Sequence, residues 1–274
     1  MRPSDEPAAA LRPAREFSYA SGADCAPQPR WVAVETPIAF EFGGQPHAVM
    51  MASPIDLIDF AYGFALTEGI VDSVDDIRGV ESEASAAGRT LKIALSGPGL
   101  SSHMARRRAL VGRTSCGLCG VEDFAAMPKP ARVKAAAAIA PSAIKAALIA
   151  FEAEQRLNAL TRSVHGAAWC GRDGRVGAVR EDVGRHNALD KVIGAMARAR
   201  VDSADGFLLI SSRCSLEMVA KAARFGAATL VSVSAPTALA LDEAARLGIA
   251  IIAVARADHA LVFDAPASLD EAAA

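Results

Sequence analysis

The segment TSCGLCG, residues 114–120, sets two thiols two residues apart, each followed by glycine. Such a pair can hold a metal, shuttle electrons or carry something on sulfur. A structural zinc site needs four ligands, and here Cys170 and Cys214 stand alone with no second C-x-x-C or H-x-x-x-H partner. Only a zinc-linked dimer would bring two pairs together. A thioredoxin-like pair would follow an early strand and open a helix, whereas this one lies mid-chain among Gly112, Gly117 and Gly120. Residues without a Cβ free the backbone to swing, which suits delivery better than rigid metal binding.

Four arginines, Arg106, Arg107, Arg108 and Arg113, precede the cysteines. Positive charge favours thiolate over thiol and lowers the pKa from about 8.5. A thiolate that attacks a persulfide takes up its sulfane sulfur, and a neighbouring thiol can release it or close a disulfide. The same arginines fit the solvated face of a short helix equally well. Cys25, Cys170 and Cys214 read as a tail thiol, a buried small hydrophobe and a packing residue.

A second dense polar stretch is REDVGRHNALDKVIG, residues 180–194. Asn187, three residues before Asp190 and just after Gly184, resembles a helix cap with an acidic third position. The positive helix end would then lie beside Arg185 and His186, a combination suited to phosphate or another anion. His186 is also a candidate proton donor near neutral pH. A cap and a surface ion pair account for the stretch without any ligand. SSRCSLE (211–217) and SAPTALA (234–240) each follow a strand and open a helix, with Ser215 and Thr237 as caps that could also line a crevice. VARADH, after the last core strand, contributes Arg256 and His259.

The elements that must position these groups fall into two halves. Residues 1–30, rich in Ala, Pro and charge, read as a flexible tail. Residues 31–135 form a smaller N-terminal α+β domain carrying the CxxC loop. In it, two strands flank Gly43-Gly44, a helix runs from Ser53-Pro54 through Thr67, and GRTLKIALSG is a strand. Pro128-Lys129-Pro130 marks a boundary. Residues 136–274 alternate helix and strand: helix 142–157, strands 162–169 and 175–180, helix 187–198, strand 206–211, helix 215–225, strand 228–234, helix 237–247 and strand 249–255. That alternation predicts an α/β layer on a largely parallel sheet. Leu189, Val192, Ile193 and Met196 share one helix face, as do Leu216, Val219, Ala220 and Ala223. Glu217 and Lys221 read as an exposed i,i+4 pair.

With 274 residues and 52% hydrophobic composition the chain can bury a sizeable core. A formal net charge of -2 gives no reason to expect nucleic acid or an anionic membrane as partner. No apolar run reaches the ~18 residues of a span, and the N-terminus has no apolar signal region. Five cysteines, an odd number, argue for reduced thiols and hence a cytoplasmic protein.

TSCGLCG, REDVGRHNALDKVIG, SSRCSLEMVAKAARFGA and SAPTALALDEAARLGIAIIAVAR, with ETPIAF and FALTEGIV, together resemble the FdhD family of formate dehydrogenase accessory sulfurtransferases. The resemblance runs from about residue 31 to residue 264, and REDVGRHNALDK is its most specific signature. It implies a sulfur carrier that accepts a persulfide from a cysteine desulfurase. The sulfur would pass to the molybdenum cofactor, Mo-bis(molybdopterin guanine dinucleotide), before its insertion into formate dehydrogenase. By position, Cys116 would carry the persulfide and Cys119 would be its partner. The family's cofactor-binding segment maps onto Val254, Ala255, Arg256, Ala257, Asp258 and His259, and Arg185, His186 and Asn187 would hold guanine-nucleotide phosphates.

The chain departs from the pattern at Asp258-His259, where relatives often have Gly-Arg, and a carboxylate facing phosphate is unfavourable. The resemblance also implies a homodimer, no resident metal, and a C-terminal cytidine-deaminase-like three-layer α/β/α domain. No H-x-E and P-C-x-x-C zinc pair is present, which removes deamination itself. The competing function is a non-catalytic cofactor-binding chaperone, in which the cysteines touch the partner or molybdenum but carry no sulfur.

Overall fold

The structure is a computed structural model, and it describes residues 7–20, 26–97, 99–101, 130–136 and 138–263. Cys25, Cys116, Cys119 and the four arginines before the CxxC lie outside the described residues.

Strands β1 (Ala9–Ala14) and β2 (Gln28–Ala33) pair antiparallel, with Leu11 opposite Trp31. The stretch read as a flexible tail therefore contains a β-ribbon. A backbone ladder satisfies its own polar groups and needs no apolar period to announce it.

β3 (Thr36–Phe42) and β4 (Gln45–Ala52) form the expected hairpin. Gly43 and Gly44 both take positive φ, 55° and 77°, the conformation a two-residue turn of matching twist requires. β5 (Ile77–Ser85), which the sequence reading missed, and β6 (Gly88–Leu95) complete a sheet ordered β4-β3-β6-β5. Helix α1 (Leu57–Thr67) lies across it, with Phe40 stacked on Phe64 at 4.2 Å and edge-on to Phe60 at 5.0 Å. The helix starts three residues later than Pro54. Ser53 is committed elsewhere: its amide donates to Asp182 Oδ2 (3.0 Å), and its carbonyl accepts from Lys191 Nζ (2.9 Å).

The C-terminal half contains α2 (Pro141–Glu154), α3 (Arg156–Thr161), β7 (His165–Gly171), β8 (Val176–Asp182) and α4 (Arg185–Arg198). It continues with β9 (Gly206–Ile210), α5 (Leu216–Phe225), β10 (Thr229–Ser232), α6 (Ala238–Leu247), β11 (Ala250–Ala253) and β12 (Leu261–Phe263). The sheet order is β12-β11-β10-β9-β7-β8. β9, β10 and β11 are parallel, β7 runs against β8 and β9, and β12 runs against β11.

Alternate residues of β9 serve opposite faces. Leu208 and Ile210 join a core with α4, α5 and α6, while Phe207 and Leu209 join Ile144, Leu148 and Phe151 of α2. Helices thus cover both faces of the sheet, the three-layer arrangement expected for strands buried on two sides. Val133, N-terminal to the expected boundary at 135/136, packs in the core formed with α4, α5 and α6 and donates its amide to Leu247 O at 2.8 Å.

The two halves meet where α1 crosses α4, and glycine permits the approach. A Cβ on Gly63 would fall 1.7 Å from the Asp190 carbonyl oxygen, and one on Gly194 would fall 1.9 Å from that of Asp59. No larger residue fits unless the helices separate.

Candidate functional site

β8 and β9 each pair antiparallel to β7, so β8 points the same way as β9, β10 and β11. Their C-terminal ends share one edge of the sheet, where α/β proteins bind ligands. The first turn of α4 and the loops at 211–215, 233–237 and 254–260 together form a rim along this edge.

The sequence reading placed a cap at Asn187, but the helix begins earlier, at Arg185, with Gly184 as its flanking residue and no side-chain cap. Asp182 takes over the local bonding. Its Oδ1 accepts from Gly184 N (2.8 Å) and Asn187 Nδ2 (2.9 Å), and its Oδ2 accepts from Lys191 Nζ (2.6 Å). Asn187 also donates to the Met51 carbonyl (2.8 Å) and is buried. It ties the rim to the N-terminal half and is not presented to a ligand.

The exposed Glu217–Lys221 pair does not form either. Lys221 is 6% exposed and bonds Asp190 (2.9 Å), Glu68 (2.8 Å) and Thr67 Oγ1 (2.9 Å). The cause is tertiary: α1 packs over the face of α5 that faces solvent in an isolated helix. Burial works against the ammonium, but Asp190 and Glu68 outweigh it and push Lys221 up, so it stays charged. For the same reason Leu216 and Ala220 are only half-buried, whereas Met218 and Ala222 are fully buried.

Glu217 instead faces His186. Nε2 of His186 lies 2.5 Å from Glu217 Oε2, and an Arg185 guanidinium nitrogen lies 3.9 Å from the same oxygen. The His186 bond outweighs desolvation and holds Glu217 below the usual carboxylate range, so it is ionised at neutral pH. His165 opens β7 opposite Asp182; burial first, then the Arg185 charge, lowers its pKa and keeps it neutral. Two polar atoms here are buried without a hydrogen-bond partner: Arg185 Nε and Ser215 Oγ. Ser215 flanks α5 yet makes no capping bond, while Thr237 Oγ1 caps α6 by accepting from Ala240 N at 3.3 Å.

The rest of the rim follows in strand order. Ser232 Oγ donates within 2.8 Å of the Ser212 and Ser234 carbonyls, and Cys214 forms a bridge with Pro236. Ala255 N donates to Ser232 O at 3.1 Å. Val254 sits at φ 51°, a left-handed conformation that a β-branched residue adopts only under constraint. Arg256 folds back, donating to the Val233 (2.5 Å) and Ala255 (2.9 Å) carbonyls, while Ala257 is exposed. Asp258 and His259 pair with each other at 2.9 Å in solvent, a bond that lowers the Asp258 pKa. The structure thus brings Arg185 and His186 together with Ser215 and Glu217, and sets Val254–His259 further along the same edge.

Cys170 and Cys214 are fully buried, and desolvation pushes each thiol up to about 12, so neither supplies a thiolate. Among the described residues no cluster of three or more His, Cys, Asp or Glu could hold a metal, and no helix is long and apolar enough to cross a membrane.

The model of the FdhD/NarQ family matches residues 33–270. The chain belongs to the FdhD/NarQ family. Relatives named sulfur carrier protein FdhD are similar to this family member over most of its length. The Bordetella petrii protein is 48% identical over 77% of this chain and 76% of its own. That of Chromobacterium violaceum is 47% identical over 81% and 84%. A solved structure from Desulfotalea psychrophila, named as a formate dehydrogenase accessory protein, superimposes with a TM-score of 0.73 at 24% identity, covering 95% of this chain and 98% of that one. It supports the fold of the FdhD/NarQ chain.

Sequence reasoning proposed Ser215 as lining a crevice with this stretch but missed Glu217 and His165 as neighbours of His186 in this FdhD/NarQ rim. The available signal was the S-x-E immediately after a strand, which places both residues in the first turn of the following helix at a strand end.

Proposed function

We infer that this chain is a cytoplasmic sulfur carrier for formate dehydrogenase. A cysteine desulfurase supplies sulfane sulfur to Cys116, and the chain passes it to Mo-bis(molybdopterin guanine dinucleotide) before that cofactor enters formate dehydrogenase. The observation that carries this reading is the 47–48% identity, over more than three quarters of the chain, with relatives named sulfur carrier protein FdhD.

In the uptake step the Cys116 thiolate attacks the outer sulfur of the donor persulfide. A new S–S bond forms on Cys116, the donor's S–S bond breaks, and the donor cysteine leaves as thiolate. In the release step the Cys119 thiolate attacks the Cys116 sulfur. The outer sulfur departs as hydrosulfide, and the resulting disulfide is reopened by a cellular thiol reductant.

The rim at the strand ends supports a role in holding the cofactor. It offers the Arg185 guanidinium and Ser215 hydroxyl beside two helix N-termini, and the strained loop at Val254 lies on the same edge. Asn187 supports the rim from behind, and pairing with His259 lessens the repulsion between Asp258 and phosphate. The strand order, with β7 antiparallel to its neighbours, supports a cytidine-deaminase-like second domain. A homodimer belongs to the same reading.

Incubation with a desulfurase and cysteine, followed by mass spectrometry of the intact chain, tests the proposal. One added sulfur, absent from Cys116→Ala, is expected. A Cys116→Ala protein that still gains sulfur, or still activates formate dehydrogenase, would overturn it.

A further inference from the structure

The first turns of α4 and α5 meet at a carboxylate–imidazole pair that sulfur uptake and nucleotide binding do not require. His186 and Glu217 are each about a quarter exposed at the side chain, so the pair is partly screened from water yet open on one side. Beside it, Arg185 Nε and Ser215 Oγ are buried donors with no partner in the protein. Arg185 Nε can only donate, and Ser215 in this position has a free hydroxyl, so both suit an oxygen acceptor.

A carboxylate that fixes one ring nitrogen of a histidine orients the imidazole and stabilises its protonated form. Two further donors beside it make a holder for negative oxygen next to a source of protons. Plain anion binding does not call for Glu217, whose charge repels an anion.

We propose that His186 is the proton donor that lets sulfur replace a metal-bound oxygen of the cofactor, that Glu217 positions it, and that Arg185 and Ser215 hold that oxygen. The inference rests on the sulfur-carrier reading above. In the step, hydrosulfide released from the carrier forms a metal–sulfur bond as the metal–oxygen bond breaks. The departing oxygen takes one proton from the hydrosulfide and one from His186 and leaves as water. The metal's oxidation state is unchanged, and solvent returns the proton to His186.

Among the described residues, the charged and titratable groups that act on His186 are Glu217 from α5, Glu68 from the end of α1 and His165 from β7, with Arg185 beside it on its own helix. Glu217 is the only one of these within hydrogen-bonding distance of the His186 ring among the described residues.

The test uses full-length protein loaded by a desulfurase and cysteine, with Cys116 persulfide read by mass spectrometry. Activation of cofactor-free formate dehydrogenase, supplied with unsulfurated cofactor, is then read across pH. His186→Gln is expected to keep its persulfide and fold, by circular dichroism, while activation falls ~100-fold. Glu217→Gln should shift the alkaline limit of activation to lower pH, and Glu217→Asp should move it back. Ser215→Ala, which breaks no hydrogen bond in the protein, should lower activation ~10-fold or more. Wild-type activation by His186→Gln, an unmoved pH limit in Glu217→Gln, or loss of the persulfide in either variant overturns the inference. Failure of wild-type protein to load Cys116 overturns the sulfur-carrier reading instead.

Discussion

The seam between the two halves and the rim at the strand ends use the same residue types in opposite ways. In the seam, Lys191 is fully buried and bonds Asp182 and the Ser53 carbonyl, and Lys221 bonds Asp190, Glu68 and Thr67. Asp59 is gripped by Arg180 and Arg198. In the rim, a few residues away on the same two helices, Arg185 Nε and Ser215 Oγ are buried without partners. A buried polar group left unmade costs about 1–3 kcal/mol, so it persists where something outside the protein completes it. Arg224 Nε, beside Gly69 at the end of α1, also lacks a partner, so what distinguishes the rim is two such atoms next to an ion pair at the strand ends.

The largest effects are expected in the seam. Lys191→Ala leaves the buried Asp182 carboxylate with its neutral donors but without its cationic partner, and should cost about 3–5 kcal/mol, read as a shift in the urea midpoint. Lys191→Met, which keeps the volume but strands the same carboxylate, should cost nearly as much. A loss below ~1 kcal/mol would show that Asp182 is not held by the lysine, and the contrast with the rim would weaken. Gly194→Ala forces α4 away from the Asp59 carbonyl, and should cost about 1–3 kcal/mol by the same measurement, with Gly63→Ala similar.

An alkaline limb separates the buried thiols from the CxxC. Burial pushes the Cys170 and Cys214 thiols of the folded chain up to about 12, above the ordinary 9.0 of an exposed thiol. Between those pH values the unfolded chain loses these protons and the folded one keeps them. Stability is therefore full below the unfolded pKa and falls as pH rises through this window, by up to ~1.4 kcal/mol per pH unit for each thiol. In line with this, neither should be alkylated by iodoacetamide in folded protein at pH 8, while both are modified after unfolding.

The smallest effects sharpen the comparison most directly, because two hydroxyls flank helix starts on the same edge. Thr237→Ala removes a cap and should cost ~1 kcal/mol. Ser215→Ala removes no bond and should change stability by less than ~0.5 kcal/mol. Equal costs for the two would mean that Ser215 is an ordinary cap.

Strand and helix alternation after Pro141, the hairpin at Gly43-Gly44 and the apolar face of Leu189, Val192, Ile193 and Met196 were legible because they follow from local period and turn chemistry. The β1–β2 ribbon was not, since Ala, Pro and charge give no alternation when neither face is buried. The roles of Asn187 and Lys221 were misread for a different reason. Polar residues near a helix start or on one helix face signal a cap or solvent unless another element covers them, and here the N-terminal half, more than a hundred residues earlier in the chain, covers them: β4 at Asn187 and α1 at Lys221.

By itself the sequence determined the chemical inventory of this protein: a glycine-flanked thiol pair, a histidine and arginine at a helix start, and a sheet whose strands alternate with helices. Membership of its family was legible in the same motifs. Which charged groups are closed into a frame and which stand open was decided only by the tertiary structure. Burial and partnership depend on elements distant in the chain, and a local pattern of polarity carries no record of what will lie against it.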